Sequence, residues 1–121
     1  MDQLRSDHLR LRIECRASGR GRADLGMLAR TDQIWVSDNT DAVDRLAIQH
    51  GHSQVLPAAV MTAWVTDCPN PLTSRTVPLR FRFHSAMAGV MGLGGDLLEW
   101  SDEEKETRPA DWSGNTSGSA T

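Results

Sequence analysis

Short apolar runs separated by polar segments dominate the first half of the chain. Residues 9–14, LRLRIE, alternate apolar and polar side chains as a half-buried strand does. Residues 33–36, QIWV, and residues 60–65, VMTAWV, are further apolar runs of strand length. Residues that favour loops and turns follow each run directly. The pattern therefore predicts three strands, each ending in a polar loop.

A helix is predicted after the second of these strands. Asn39 or Thr40 can cap its first turn, and the helix dipole favours the negative charges of Asp41 and Asp44 near its N-terminus. Gly51 is the expected stop at its C-terminal end. The apolar side chains expected along one face are those of Val43, Leu46 and Ala47.

The remainder of the chain is rich in glycine and then becomes polar. Residues 79–83, LRFRF, alternate again and lead into a glycine-containing segment, residues 84–100. The end of the chain is low in complexity and has few apolar side chains. We therefore predict a folded part over residues 1–104 and a disordered polar tail over residues 105–121.

The order of strand, polar loop and helix predicts an α/β fold. Polar and charged residues gather just after the strands, at residues 15–22, 37–41 and 67–70. In an α/β barrel, active-site residues lie at this end of the strands. A complete barrel needs about 250 residues, so a chain of 121 residues can supply only part of one.

The composition is that of a globular protein, with 39% hydrophobic and 24% charged residues. The net charge of −3 argues against nucleic acid or an anionic membrane as the main partner. Cys15 and Cys68 are too few for a disulfide framework. Since no apolar stretch has the length of a signal peptide or a membrane helix, we expect a cytoplasmic protein.

Residues 14–51, ECRASGRGRADLGMLARTDQIWVSDNTDAVDRLAIQHG, resemble a signature of the family 36 glycoside hydrolases, the microbial α-galactosidases or melibiases. That signature begins Glu-x-Cys-x-x-Gly-Gly-Gly-Arg-x-Asp-x-Gly-Met-Leu and continues with Gln-x-Trp-x-Ser-Asp-x-Thr-Asp-Ala. The resemblance extends over about residues 4–104. It implies an α/β fold that is the C-terminal fragment of a (β/α)8 TIM barrel. It also implies a retaining hydrolase of terminal α-D-galactosyl residues, as in melibiose and raffinose, without metal or cofactor.

The resemblance also implies roles for three residues. Asp38 matches the aspartate of the family's Ser-Asp-x-Thr-Asp-Ala motif and would be the proton donor, the general acid/base. Cys15 and Gly19 match positions that line the galactose subsite. Each has a plainer alternative, because an aspartate before a helix is usually an N-terminal cap and a lone cysteine is usually an inert buried thiol. Trp35 is either a sugar-stacking platform or, more in keeping with most such residues, part of the core.

The sequence departs from the family pattern at two places. The family's nucleophile lies in a Lys-x-Asp-x-Asn motif, but the single lysine, Lys105, is followed by Glu-Thr-Arg. In the glycine loop, Arg16 is interpreted as an insertion and Arg20 interrupts the glycine run. The expectation is therefore a truncated α-galactosidase chain without its nucleophile that is inactive alone. The alternative is a non-catalytic remnant or a galactose-binding fragment.

Two other classes of protein have weak support. The arginine- and glycine-rich residues 16–22 could bind nucleic acid, but they lack interleaved aromatic residues and belong to an acidic protein. A metal site could draw on Cys15, Cys68, His50 and His52, but these residues lack the paired spacing of structural zinc sites.

Overall fold

A computed structural model describes residues 2–16, residues 24–102 and Lys105. Gly19 and residues 106–121 of the predicted tail lie outside these described residues. The described part alternates short strands with helices, as the sequence predicts. In chain order its elements are α1 (Asp2–Asp7), β1 (Glu14–Arg16), α2 (Leu25–Leu28), β2 (Gln33–Trp35), α3 (Asp44–Ser53), a 3₁₀ turn (Ala58–Val60), β3 (Thr62–Val65), α4 (Leu79–Ala86) and β4 (Val90–Leu93).

All four strands run parallel and follow one another in chain order. Strand β1 pairs with β2, with Arg16 opposite Trp35, and β3 pairs with β4, with Trp64 opposite Gly92. A single parallel bridge between Ile34 and Met61 joins the two pairs. Because parallel strands share one direction, their carboxyl ends, and the loops that follow them, lie along the same edge.

The hydrophobic core lies between α4 and the second pair of strands. Ala63 and Val65 of β3 are fully buried against the helix, and Met91 and Leu93 of β4 pack against the same cluster. The remaining core side chains are Leu79, Phe83, Ala86 and Trp100. This packing fixes β3 and β4 and therefore positions the loops at their carboxyl ends.

The first strand is shorter than its sequence pattern predicts. Residues 9–14 alternate, but the strand begins only at Glu14 and continues to Arg16. Before it, the backbone N–H of Ile13 donates to the carboxylate of Asp32 at 2.8 Å. That N–H is therefore bonded to a side chain and is not part of the strand ladder, and Leu9 and Leu11 remain exposed.

Helix α3 differs from the prediction at its ends and in its buried face. It begins at Asp44 and continues past Gly51 to Ser53. The predicted apolar face is wrong, since Leu46 is 49% exposed and the buried residues are Arg45 and Gln49. Both polar side chains bind backbone carbonyl groups, Arg45 that of Thr62 at 2.6 Å and Gln49 that of Ser85 at 2.9 Å. Hydrogen bonds, not apolar contacts alone, therefore hold α3 in place.

The alternating segment 79–83 lies in helix α4 and is not a strand. Leu79, Arg82, Phe83 and Ala86 are buried, which is the spacing of one helix face. The alternation misleads because Arg82 occupies a buried position, where its Nη1 donates to the carbonyl oxygen of Thr66 at 2.7 Å. The glycine-containing segment that follows forms β4, which the pattern does not predict.

Candidate functional site at the carboxyl ends of the strands

A cavity of about 410 Å³ opens at the carboxyl ends of the four strands. Its walls come from the strands and from the loops that follow β2 and β3. The residues that line it are Glu14, Arg16, Trp35, Thr40, Trp64, Thr66, Asp67, Pro71 and Gly94. All three polar clusters seen in the sequence therefore contribute to one site, through Arg16, Thr40 and Asp67 among the described residues.

A row of side chains crosses the strands and forms one wall of the cavity. The Arg16 guanidinium lies over the Trp35 ring, 5.1 Å from its centroid. The Trp35 and Trp64 rings are 5.6 Å apart and tilted by 54°. Just after strand β4, a Cβ atom at Gly94 would lie 2.8 Å from the Trp64 ring. The absence of a side chain there lets Trp64 lie close against this segment.

Asp38 follows β2 and borders this wall. Its Oδ1 accepts a hydrogen bond from the Trp35 indole Nε1 at 2.9 Å and lies 3.5 Å from Arg16 Nη2. Asp38 is not among the residues that line the cavity, but its side chain is 53% exposed and contacts two residues that do. These two contacts hold one oxygen of its carboxyl.

The helix-cap role suggested for Asp38 belongs to Asp41. Asp41 Oδ1 accepts hydrogen bonds from the backbone N–H groups of Val43 at 2.9 Å and Asp44 at 3.0 Å, at the start of α3. The same carboxylate, which is 1% exposed, accepts a hydrogen bond from Thr73 Oγ1 at 2.5 Å and forms an ion pair with Arg75. Burial raises the pKa of Asp41, but the hydrogen bonds and the Arg75 charge outweigh it, so the pKa lies below its ordinary value.

The loop after β3 is held by Asn70, a member of the polar cluster 67–70 to which the sequence pattern gives no role of its own. Asn70 is buried, and its Oδ1 accepts hydrogen bonds from the N–H groups of Leu72 at 2.9 Å and Thr73 at 3.1 Å. Its Nδ2 donates to Thr40 Oγ1 at 3.2 Å, which links this loop to the one that follows β2. The sequence feature that indicates this role is an asparagine between two prolines, because asparagine side chains in turns bind the backbone of the same turn.

The structure does not place Cys15 at this cavity. Cys15 is 3% exposed and lies between Glu14 and Arg16, which both line the cavity, so its side chain projects from the opposite face of β1. The subsite role of Cys15 therefore has no geometric support, and the role predicted for Gly19 falls outside the described residues.

The alignment with the family motif places Arg16, and not Cys15, at the position of the motif's cysteine. The family motif quoted above fits residues 14–28 without any insertion when Arg16 stands at its cysteine and Arg20 at its second glycine. The interpretation of Arg16 as an inserted residue is therefore unnecessary.

Among the described residues that line the cavity, carboxylates outnumber the single guanidinium group. Glu14 and Asp67 line the cavity with Arg16, and Asp38 stands beside it. Asp67 Oδ1 accepts a hydrogen bond from the backbone N–H of Asp96 at 3.0 Å, which ties the end of β3 to the loop after β4. The described residues contain no group of three potential metal ligands. They also contain no helix that is long and apolar enough to cross a bilayer.

The chain is an α/β protein with a concave site at the carboxyl ends of its parallel strands. Tryptophan rings and carboxylates form the walls of this site, as is typical of pockets that bind small ligands. Comparison with protein families matches the Melibiase family model over residues 1–111. The chain belongs to this family.

Individual relatives agree with the family assignment. The chain is 42% identical over 106 residues to α-galactosidase AgaA of Geobacillus stearothermophilus, an alignment that covers 88% of the chain. Among solved structures, it superposes with a TM-score of 0.81 on the galactosidase domain of AgaSK, a bifunctional α-galactosidase/sucrose kinase of Mediterraneibacter gnavus, at 42% identity over 87% of the chain. A variant of AgaA in complex with raffinose gives the same TM-score at 40% identity over 87% of the chain.

The chain corresponds to a small part of each of these proteins. The alignment with AgaA covers 14% of that protein, and those with the two solved structures cover 15% of each.

Proposed function

We propose that this chain carries the acid/base half of an α-galactosidase active site, which hydrolyses terminal α-D-galactosyl residues with retention of configuration. The observation that carries the proposal is the position of Asp38, directly after β2 and oriented by Trp35 beside the cavity, in a chain of the Melibiase family. The raffinose bound to one structural relative is the basis for proposing raffinose-type oligosaccharides as substrates.

We further propose that the four strands are neighbouring strands of a (β/α)8 barrel. Three features support this architecture: all four strands are parallel, neighbours in the sheet are also neighbours along the chain, and a helix lies between each strand and the next. A cavity at the carboxyl ends of the strands has the position of an active site in such barrels.

In this mechanism Asp38 transfers protons at the glycosidic oxygen. It donates a proton to the leaving oxygen in the first step and accepts one from the attacking water in the second. The Trp35 indole N–H binds one carboxyl oxygen of Asp38 and so fixes the direction of the carboxyl group. Retention also requires a nucleophilic carboxylate, with the two carboxyl groups about 5–5.5 Å apart. Glu14 and Asp67 line the cavity, but neither lies in the family's nucleophile motif.

The test uses a chimaera of AgaA in which this chain replaces the aligned segment. We expect the chimaera to hydrolyse raffinose and an aryl α-galactoside, because the alignment spans 88% of the chain at 42% identity. Substitution Asp38→Asn should lower kcat by about 10²–10⁴-fold, the usual contribution of a proton-transfer group. Asp102→Asn is the matched control, since Asp102 is fully exposed.

Circular dichroism and thermal unfolding establish that each chimaera folds. A folded, active chimaera that keeps its kcat after Asp38→Asn would exclude Asp38 as the proton donor. A folded chimaera that binds galactose without hydrolysing either substrate would instead favour the alternative of a non-catalytic, galactose-binding fragment.

A further inference from the structure

We propose that Arg16 is a specificity-determining residue that competes with a neutral glycosyl ligand for the face of Trp35. The inference rests on the proposed function, because it takes an α-galactoside as the ligand of the cavity. Its starting point is that the guanidinium of Arg16 already occupies the place on Trp35 where a sugar ring would stack.

The surroundings of Trp35 leave little other ring surface for a ligand. Arg16 lies on its β1 side, directly opposite in the strand register, and Trp64 lies on its β3 side with ring centroids 5.6 Å apart. The Nε1 edge of the indole donates to Asp38. A sugar that stacks on Trp35 must therefore displace the guanidinium.

Arg16 is held by two weak contacts, so it can be displaced at a modest cost. The side chain is 67% exposed, its guanidinium carbon is 5.1 Å from the Trp35 centroid, and its Nη2 is 3.5 Å from Asp38 Oδ1. An exposed cation–π contact together with an exposed ion pair makes the form in which Arg16 covers the Trp35 ring about 3- to 30-fold more populated than the form in which the ring is uncovered. The apparent affinity for a stacking ligand falls by the same factor, since only the uncovered form binds it.

The charge of the cavity determines which ligands lose affinity. Among the described residues that line it, Arg16 carries the one positive charge, beside the carboxylates of Glu14 and Asp67. A neutral galactoside gains when Arg16 is removed, because its hydroxyl groups can donate to the carboxylates and its ring can reach Trp35. An anionic glycoside would respond with the opposite sign, since it would lose the one cationic partner among the described residues that line the cavity.

The experiment compares the full 121-residue chain with the variants Arg16→Ala and Arg16→Lys. The ligand is methyl α-D-galactopyranoside, and the Trp35 indole N–H resonance of ¹⁵N-labelled protein reports its dissociation constant. We expect Arg16→Ala to bind the galactoside about 3- to 30-fold more tightly than the parent. Arg16→Lys should lie between them, because lysine keeps the charge but not the planar stacking group.

Arg80→Ala is the matched control. It removes the same charge from an exposed position on α4 and should leave the dissociation constant unchanged. Dispersed indole resonances establish that each variant is folded. If Arg16→Ala does not fold, Arg16→Met, which keeps an unbranched apolar side chain without the charge, takes its place in the comparison.

Equal or weaker binding by the folded Arg16 variant overturns the inference. If the parent binds the galactoside in that case, the proposed function stands and only the competition by Arg16 is refuted. If neither the parent nor the charge-free variant binds, the inference fails together with the proposal of an α-galactoside site.

Discussion

At the scale of single residues, Asp38 and Asp41 show how position separates two chemically identical side chains. Asp38 is half exposed beside the cavity and contacts Trp35 and Arg16. Three residues further along the chain, Asp41 is buried and caps α3 while it binds Thr73 and Arg75. The family motif predicted the first position. The sequence predicted Asp41 at the start of α3 but not its burial, because the partners Thr73 and Arg75 lie more than 30 residues away along the chain.

The lowered pKa of Asp41 gives a prediction for stability in acid. In the unfolded chain an aspartate titrates near pH 3.9, and in the folded chain hydrogen bonds and Arg75 keep Asp41 charged to a lower pH. Its contribution to the free energy of unfolding is therefore complete above about pH 4 and is lost as the pH falls through the lowered pKa. Asp41→Asn should reduce that free energy by about 1–3 kcal/mol at pH 7 and make its decline below pH 4 shallower.

Urea unfolding at a series of pH values measures this effect. Asp102→Asn, at a fully exposed position, should reproduce the parent profile. An Asp41→Asn profile parallel to that of the parent would show that Asp41 keeps the same affinity for protons in both states.

At the scale of elements, the sequence correctly predicted the strands whose hydrophobic pattern reflects the burial of apolar side chains. Strands β2 and β3 lie within the predicted runs, and the polar loops after them line the cavity. The predictions failed where polar side chains are buried through hydrogen bonds to distant carbonyl groups, as for Arg45 in α3 and Arg82 in α4. Hydrophobic periodicity carries no information about such partners, so the buried faces of these helices could not be identified.

Two glycines in different elements should respond to alanine with opposite signs. At Gly94, just after β4, a Cβ atom would meet the Trp64 ring at 2.8 Å. Gly94→Ala should therefore lower the free energy of unfolding by about 1–3 kcal/mol through overpacking. At Gly51, inside α3, a Cβ atom would have no neighbour within 4 Å. Gly51→Ala should raise that free energy by about 0.5–1 kcal/mol, because alanine favours the helix.

Chemical denaturation of the two variants measures both changes. Near-ultraviolet circular dichroism should also change for Gly94→Ala alone, since Trp64 must shift relative to Trp35. Equal stability of the parent and Gly94→Ala would contradict the close packing of Trp64 on this segment.

At the scale of the whole molecule, the four strands bring their following loops to one cavity, with Asp38, the proposed proton donor, beside it. The position of this candidate site could be predicted from the sequence because parallel strands gather their following loops at one edge. The position of Arg16 in the wall of the cavity could not be predicted, because Cys15 matches the cysteine of the family motif by residue type. Alternation along β1 resolves this, since adjacent residues on a strand face opposite sides.

The 121-residue chain alone should not turn over α-galactosides. Cleavage with retention needs a nucleophilic carboxylate as well as a proton donor, and the chain contains no match to the family's nucleophile motif. Release of nitrophenol from an aryl α-galactoside should therefore stay at the uncatalysed rate for both the purified chain and Asp38→Asn. Turnover at enzymatic rates that Asp38→Asn abolishes would reveal a nucleophile within the chain.

The pairing of each strand with its neighbour in the chain also bears on how the structure forms. Glu14 of β1 pairs with Gln33 of β2, and Thr62 of β3 pairs with Val90 of β4, so each parallel pairing closes a stretch of chain that contains a helix. The entropic cost of closing a loop grows with its length, and parallel pairing across such a crossover forms more slowly than pairing within a hairpin. We therefore expect formation of the strand pairs, and not of the helices between them, to limit the folding rate.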